Sequence, residues 1–317
     1  MTSDWSAVES NKEQYRRLCE TEGSRIPLFQ QYWWMELVCD GKEWDVMLSL
    51  NGNRIVGALP YLIGHRFGLR YTLQPQLTQF SGPWLADGLD EEERLRTMDD
   101  LAAQLDALGL ALYVGRFSPA IDNWLPFYWR GYRGSTHYTY RFDPLLPLEQ
   151  LMAAAQPERR KRLELLRSEC IVDRQVGPTE FAAFHHDYYV RRDGHNLLPQ
   201  SLTEHVCKAA VDRGQGLVYG LRDRDGHLLV ADFVVFDKRC AHSLVSGMSA
   251  DAPRNANSLL FWTLIGDLYG RTAAFDFEGS MDPGIGHFFR SFGARAVPLL
   301  QVWRSRIPLA TNFLHLR

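Results

Sequence analysis

The chain has 317 residues, of which 45% are hydrophobic and 23% charged, and a formal net charge of −3. That length suits two domains of roughly 150 residues each, and the composition is that of an ordinary soluble globular protein. The near-neutral charge gives no global attraction to nucleic acid or anionic membrane, although local basic patches remain open. Cys19, Cys39, Cys170, Cys207 and Cys240 are odd in number, widely spaced and form no C-x-x-C pair, so neither a disulfide framework nor a structural zinc is expected, and no metal. The opening Met1-Thr2-Ser3-Asp4-Trp5 is polar and acidic, unlike a signal peptide. The longest apolar run, 228–236, is broken by Asp232 and too short to span a bilayer. The expectation is a cytoplasmic protein without stable membrane insertion.

Two helical patterns open the chain, one through Tyr15 and Leu18, one through Phe29, Trp33, Trp34, Leu37 and Val38. A hairpin follows, 44–50 and 54–63 around Asn51-Gly52-Asn53. A third extended piece spans 71–80 and ends in Ser81-Gly82-Pro83-Trp84. An amphipathic helix, 95–108, stops at Gly109, and then come a strand (111–117), a short aromatic helix (121–129) and a strand (133–142). Prolines at 144–147 interrupt the pattern, and helices are expected over 148–168, 179–192 and 201–212. Strands at 217–222 and 227–236 flank the turn Asp225-Gly226, and a third covers 239–247. A helix (259–269), a strand (273–277), a helix (284–291) and a strand (296–304) complete the order.

The second half repeats the element order of the first. Gly109 and Gly270 are 161 residues apart, Pro119 and Pro283 164, and Gly131 and Gly293 162. An internal structural duplication follows, with one unit over 1–145 and a second, including the linking helices, over 146–317.

The most informative segment is Phe275-Asp276-Phe277-Glu278-Gly279-Ser280, with Met281-Asp282-Pro283 and the aromatic helix face around Phe288, Phe289 and Phe292 behind it. On a strand, Asp276 and Glu278 share one side while Phe275 and Phe277 share the other. Two carboxylates at the carboxyl end of a core strand suit a ligand site; capping of the next helix or pairing with arginines is the plainer alternative. Asp276 and Glu278 are the general-base candidates. His242 is a third catalytic candidate, within cross-strand reach of Asp232, or else a structural strand histidine. Ser246, Ser280 and the backbone near Gly247 are candidates to stabilise an oxyanion. Arg254, Asn255, Asn257 and Ser258 precede an apolar helix, with Asn257 or Ser258 as its N-cap, and that helix start suits a phosphate. Arg159, Arg160, Lys161 and Arg162 form the densest basic cluster, either a cradle for a phosphate-bearing ligand or a solvated face balanced by Glu158, Glu164 and Glu169. Tyr189, with Arg191 and Arg192, and Arg290 complete the acceptor-side candidates. G-x-S-x-G, Walker and H-E-x-x-H motifs are absent, which removes hydrolase, NTPase and metalloprotease readings.

Three strands, helix, strand, helix, strand is an order similar to the GNAT acyltransferase fold, and two such units in tandem resemble the FemABX-type transferases and the related CelD-like acetyltransferase group. The resemblance is carried by the segment 275–280, by Phe288-Phe289-Arg290-Ser291-Phe292-Gly293, by Pro27-Leu28-Phe29-Gln30-Gln31-Tyr32-Trp33-Trp34, by Ser81-Gly82-Pro83-Trp84 and by Glu158-Arg159-Arg160-Lys161-Arg162. It implies an α/β class with α+β mixed sheets: two tandem units, each a mostly antiparallel mixed sheet flanked by helices. It also implies transfer of an acyl group from acyl-CoA to an amine or hydroxyl acceptor held between the units. The first unit would bind the acceptor, a small molecule or a peptide or glycan precursor. The second would bind the donor, with the thioester arm between the strands near 239–247 and 273–277. The family's R/Q-x-x-G-x-G/A pyrophosphate motif is absent from 251–258. Two alternatives stay open: an aminoacyl-tRNA-dependent Fem-type transferase, and a non-catalytic precursor-binding protein.

Overall fold

The computed structural model describes residues 9–307. Helix α1 (Asn11–Glu22) starts where the Ser10 hydroxyl accepts from the Glu13 N–H, and α2 (Tyr32–Cys39) ends at Asp40 in the left-handed conformation. Strands β1 (Trp44–Asn51) and β2 (Arg54–Leu62) form the expected hairpin, Asn51 opposite Arg54. The expected third strand over 71–80 is replaced by a short hairpin, β3 (Gly64–Arg66) with β4 (Leu69–Thr72). The two-residue β5 (Trp84–Leu85) pairs with β2 instead. Helix α3 (Glu91–Ala107) begins with a capping box between Asp90 and Glu93, and β6 (Leu112–Arg116), α4 (Leu125–Trp129) and β7 (Arg133–Phe142) follow.

The expected helix over 148–168 is two helices, α5 (Leu148–Ala154) and α6 (Pro157–Glu169), because Pro157 cannot continue the first and is tolerated at the start of the second. Then come β8 (Ile171–Asp173), α7 (Pro178–Asp193), α8 (Gln200–Asp212), β9 (Gly216–Arg222), β10 (Leu228–Phe236) and β11 (Ala241–Met248). Helix α9 (Ala256–Leu268), β12 (Phe275–Gly279), α10 (Pro283–Arg290) and β13 (Arg295–Ser305) end the described chain.

These elements fall into two compact units, one of residues up to 136 together with those from 299 onward, the other of residues 137–298. The division lies inside β7 and inside β13, whereas the sequence reading put one boundary near 145. In unit 1 the end of β13 returns to pair antiparallel with β6, Gln301 opposite Arg116 through Ser305 opposite Leu112. Its core packs Leu59, Leu101, Phe117, Phe127, Tyr132 and Val302 together, with the Phe127 ring 5.2 Å from both Phe117 and Tyr132.

Unit 2 is a mixed sheet in the order β7-β12-β11-β10-β9-β8. All its ladders are antiparallel except β11 with β12. Phe142, Phe275 and Phe277 turn toward α9 and α10, where they meet Phe261, Phe289 and Phe292. The Phe277 ring centre lies 4.9 Å from Phe275, 5.1 Å from Phe289 and 5.3 Å from Phe261. These ring contacts, edge-on to Phe275 and Phe261 and tilted to Phe289, add to the burial of the rings themselves. Phe277→Ala is therefore expected to cost about 3–5 kcal/mol of stability, read as a lower midpoint in urea denaturation.

Candidate active site

The opposite face of β12 is polar. Asp276, only 1% exposed, stands opposite Arg141 of β7 on one side and His242 of β11 on the other. Its Oδ1 accepts from the Thr139 hydroxyl and, at 2.8 Å, from the Glu278 N–H; its Oδ2 lies 3.5 Å from the Arg141 guanidinium. The strand bulges after Asp276, so that Gly279 pairs with Thr139 and Glu278 takes a φ of +66°. A non-glycine residue there is strained, and such strain persists where neighbours over-determine it. The Glu278 carboxylate stays partly exposed, with Oε1 3.6 Å from His242 Nδ1, and the Asp276 Oδ2 is 3.9 Å from the same nitrogen. The structure thus brings Asp276, Glu278 and His242 together and adds Arg141 and Thr139, which sequence reasoning missed. The only signal for those two was the alternation Thr139, Arg141 against Tyr140, Phe142.

His242 does not pair with Asp232. A bulge in β11 sets Val245 opposite Phe233 but Ser243 opposite Val234, so it is Ser243 that donates to the two Asp232 oxygens, at 3.0 and 2.9 Å, while His242 lies on the other face.

The parallel ladder between β11 and β12 consists of two pairs, Ala241 with Phe275 and His242 with Asp276. Beyond them β11 continues to Met248 while β12 ends at Gly279 against β7. The two strands part at His242 and Asp276. The Ser249 N–H donates to Leu229 at 2.8 Å, so by antiparallel alternation Ser246 and Met248 turn their backbone groups to the side that β12 has left. Gly247 sits where α7 crosses β11, and a Cβ there would lie 3.0 Å from the Phe184 ring and 3.3 Å from the His185 Cα. On α7 the Tyr189 ring is 4.8 Å from His185, with the Arg192 guanidinium 4.4 Å from it.

At the α9 start the N-cap is Asn255, in the left-handed conformation without a side-chain cap bond, rather than Asn257 or Ser258. Asparagine tolerates that conformation, which lets the helix begin earlier. The Ala256 and Ser258 N–H groups already donate to Pro253 and Asn255. Arg254 is exposed, and its carbonyl accepts from Arg162 at 3.3 Å; Arg162 also reaches Glu169 at 3.5 Å. The side chains of Arg159 and Arg160 lie outside the described residues, as does the opening segment through Trp5. Ser280 accepts from the Asp282 N–H at 3.0 Å, and Arg290 donates to the Tyr140 hydroxyl at 3.3 Å.

Cys240, His242 and Asp276 also place potential ligand atoms within 4.8 Å of one another. Arg141 already supplies the positive charge there, donating to the Cys240 sulfur at 3.1 Å as well as flanking Asp276, so a metal ion would have to displace it.

Residues 155–286 match the family model of the acetyltransferase (GNAT) domain. The structure resembles that of FemX at 13% identity and a TM-score of 0.65, over 92% of this chain and 96% of that one. Over residues 155–286 the transferase carries a GNAT acetyltransferase domain, and the fold of the chain is FemX-like. The transferase also resembles L-PGS from Bacillus licheniformis, at 13% identity and a TM-score of 0.60 over 98% of this chain and 97% of that one. A tandem GNAT protein from the clavulanic acid biosynthesis pathway resembles it at 12% identity and a TM-score of 0.52, over 83% of each chain. No curated protein sequence matches it. Among the described residues of the transferase, no helix is long and apolar enough to cross a membrane.

Burial makes two histidines of the transferase hard to charge. Desolvation, then the Arg141 charge, brings His242 down to about 3 from the ordinary 6.5; desolvation, then His186 and Arg192, brings His185 down to about 4. The unfolded chain takes up protons below pH 6.5 that the folded chain refuses, so these groups reduce stability as pH falls from 6.5 toward 3 and contribute no slope above it. Burial raises Asp232 from 3.8 to about 7 against the smaller opposing effect of Ser243. Its sign is opposite: its contribution is complete below pH 3.8 and is lost as pH rises through 7. In urea titrations across pH, His242→Gln is expected to lower the proton uptake on unfolding below pH 6.5 by about one.

Proposed function

We propose that unit 2 transfers an acyl group from a thioester donor, acyl-CoA, to an amine or hydroxyl acceptor. The observation that carries this reading is the end of the parallel ladder at the pair His242 and Asp276, which sets a basic group beside the gap between two diverging strands. The donor arm lies along β11, bonded by the backbone groups of Ser246 and Met248. Glu278, the more exposed carboxylate, takes the proton as the acceptor attacks the thioester carbonyl. The new bond forms to the carbonyl carbon, backbone N–H groups of β11 hold the oxyanion, and the carbon–sulfur bond breaks to release the thiolate. Neutral His242 and the buried Asp276 orient Glu278. Asn255, Asn257, Ser258 and Arg254 at the α9 start would meet the donor phosphates, and Tyr189, Ser280 and Arg290 the acceptor.

The arginines and lysine of α6, with Arg162 reaching the loop before α9, support a second donor, an aminoacyl-tRNA. A panel of acyl-CoAs and charged tRNAs, followed by free-thiol release for the first and deacylation for the second, separates the two; turnover with neither overturns the transfer reading. Glu278→Gln is expected to lower kcat by about 10²- to 10⁴-fold with an unchanged thermal midpoint. Asp276→Ala should lower stability as well, by about 3–5 kcal/mol, because it leaves the largely buried Arg141 only the exposed Asp143, 3.6 Å away, as counter-charge. Unaltered turnover in the Glu278 variant would reject Glu278 as the base.

A further inference from the structure

The β3–β4 hairpin of unit 1 carries a residue that nothing within the fold explains. Phe67 is 90% exposed and sits with Gly68 at the turn, at φ of 51° and 75°. Two successive positive φ values make a type I′ turn, a place for asparagine, aspartate or glycine. A phenylalanine there costs backbone strain and leaves a large ring in water. The hairpin below it is well made: the strands pair from Gly64 with Tyr71 to Arg66 with Leu69, and the Tyr71 ring fills the space a Cβ on Gly64 would need. The ring is therefore held out on a formed ribbon.

Its surroundings are cationic. Arg66 lies over the Phe67 ring at 5.3 Å from its centre, and His65 and Arg70 are exposed on either side. Arg306 is exposed nearby: the Ala111 N–H donates to the Arg70 carbonyl and the Ala111 carbonyl accepts from the Arg306 N–H, both at 2.8 Å. No acidic residue interrupts 64–72. Leu69, 44% exposed, adds apolar surface beside the tip.

We propose that this hairpin tip docks on an anionic phospholipid bilayer, with Phe67 and Leu69 entering the interfacial region and Arg66, Arg70 and Arg306 meeting the headgroup phosphates. The convex shape decides the partner. One ring and one leucine at the end of a two-stranded ribbon are too small for a protein interface, which needs about 800 Å² on each side. They match an interface in which apolar groups insert and arginines extend to the phosphates. The attachment is peripheral and needs no spanning helix.

Sedimentation of the full chain with phosphatidylglycerol-containing vesicles, against phosphatidylcholine vesicles, tests this directly. The parent chain is expected to partition to the anionic vesicles only, and less at high salt. Phe67→Asn supplies the residue the turn favours, so its thermal midpoint should rise or hold while partitioning weakens by roughly tenfold. The double variant Arg66→Glu, Arg70→Glu, which keeps the ring, should weaken partitioning at least as much, since each arginine near an anionic surface contributes roughly fivefold. Parent chain remaining in the supernatant with both vesicle types overturns the proposal. Undiminished partitioning of a folded Phe67→Asn variant overturns it equally.

Discussion

A carboxylate in the middle of a sheet must be neutralised where it stands, and in unit 2 the arrangement of three strands follows from how that is done for Asp276. The Thr139 hydroxyl and the Arg141 guanidinium come from β7, and the Glu278 N–H comes from the bulge of β12 itself. Meeting these donors ties β12 to β7 past the bulge and away from β11, whose ladder with β12 lasts two residue pairs. The gap between the parallel strands, the left-handed Glu278 and the closeness of His242 are therefore consequences of one charge and its partners. Buried pairs of this kind are weak sources of stability but demanding of geometry.

The two faces of β12 divide the work. Phe275 and Phe277 lock the strand against α9 and α10 through ring contacts that leave little freedom. The face carrying Asp276 and His242 is polar and lies toward α7, where Gly247 permits helix and strand to approach closely. A rigid aromatic layer behind a polar one lets side chains with opposed solvation needs sit one residue apart. Burial then keeps the His242 ring neutral, so it can accept or donate a hydrogen bond without adding charge beside Arg141.

Much of this was legible in the residues. The alternation of Asp276 and Glu278 with Phe275 and Phe277 announced which side chains share a face, and the order of elements in the second half matched the mixed sheet from β9 to β12. What escaped were pairings between distant segments. Nothing local to Arg141 says that it stands opposite Asp276, and the bulge in β11 that gives Asp232 to Ser243 has no mark of its own. The short hairpin of β3 and β4 was missed because Gly64-His65-Arg66-Phe67-Gly68-Leu69-Arg70 lacks the apolar alternation of a half-buried strand. The helix start at Asn255 is placed late by the sequence because Asn257, two positions on, and Ser258, three on, look like better caps, and the backbone conformation that decides it is not written in composition.

The division of the chain has a bearing on its birth. Unit 2 is one continuous run, 137–298, lodged within a unit 1 made from both ends of the described chain. Strand β13, which pairs with β6, leaves the ribosome after the rest of unit 2. A nascent chain can therefore close the sheet around Asp276 while β6, made earlier, still waits for its partner strand.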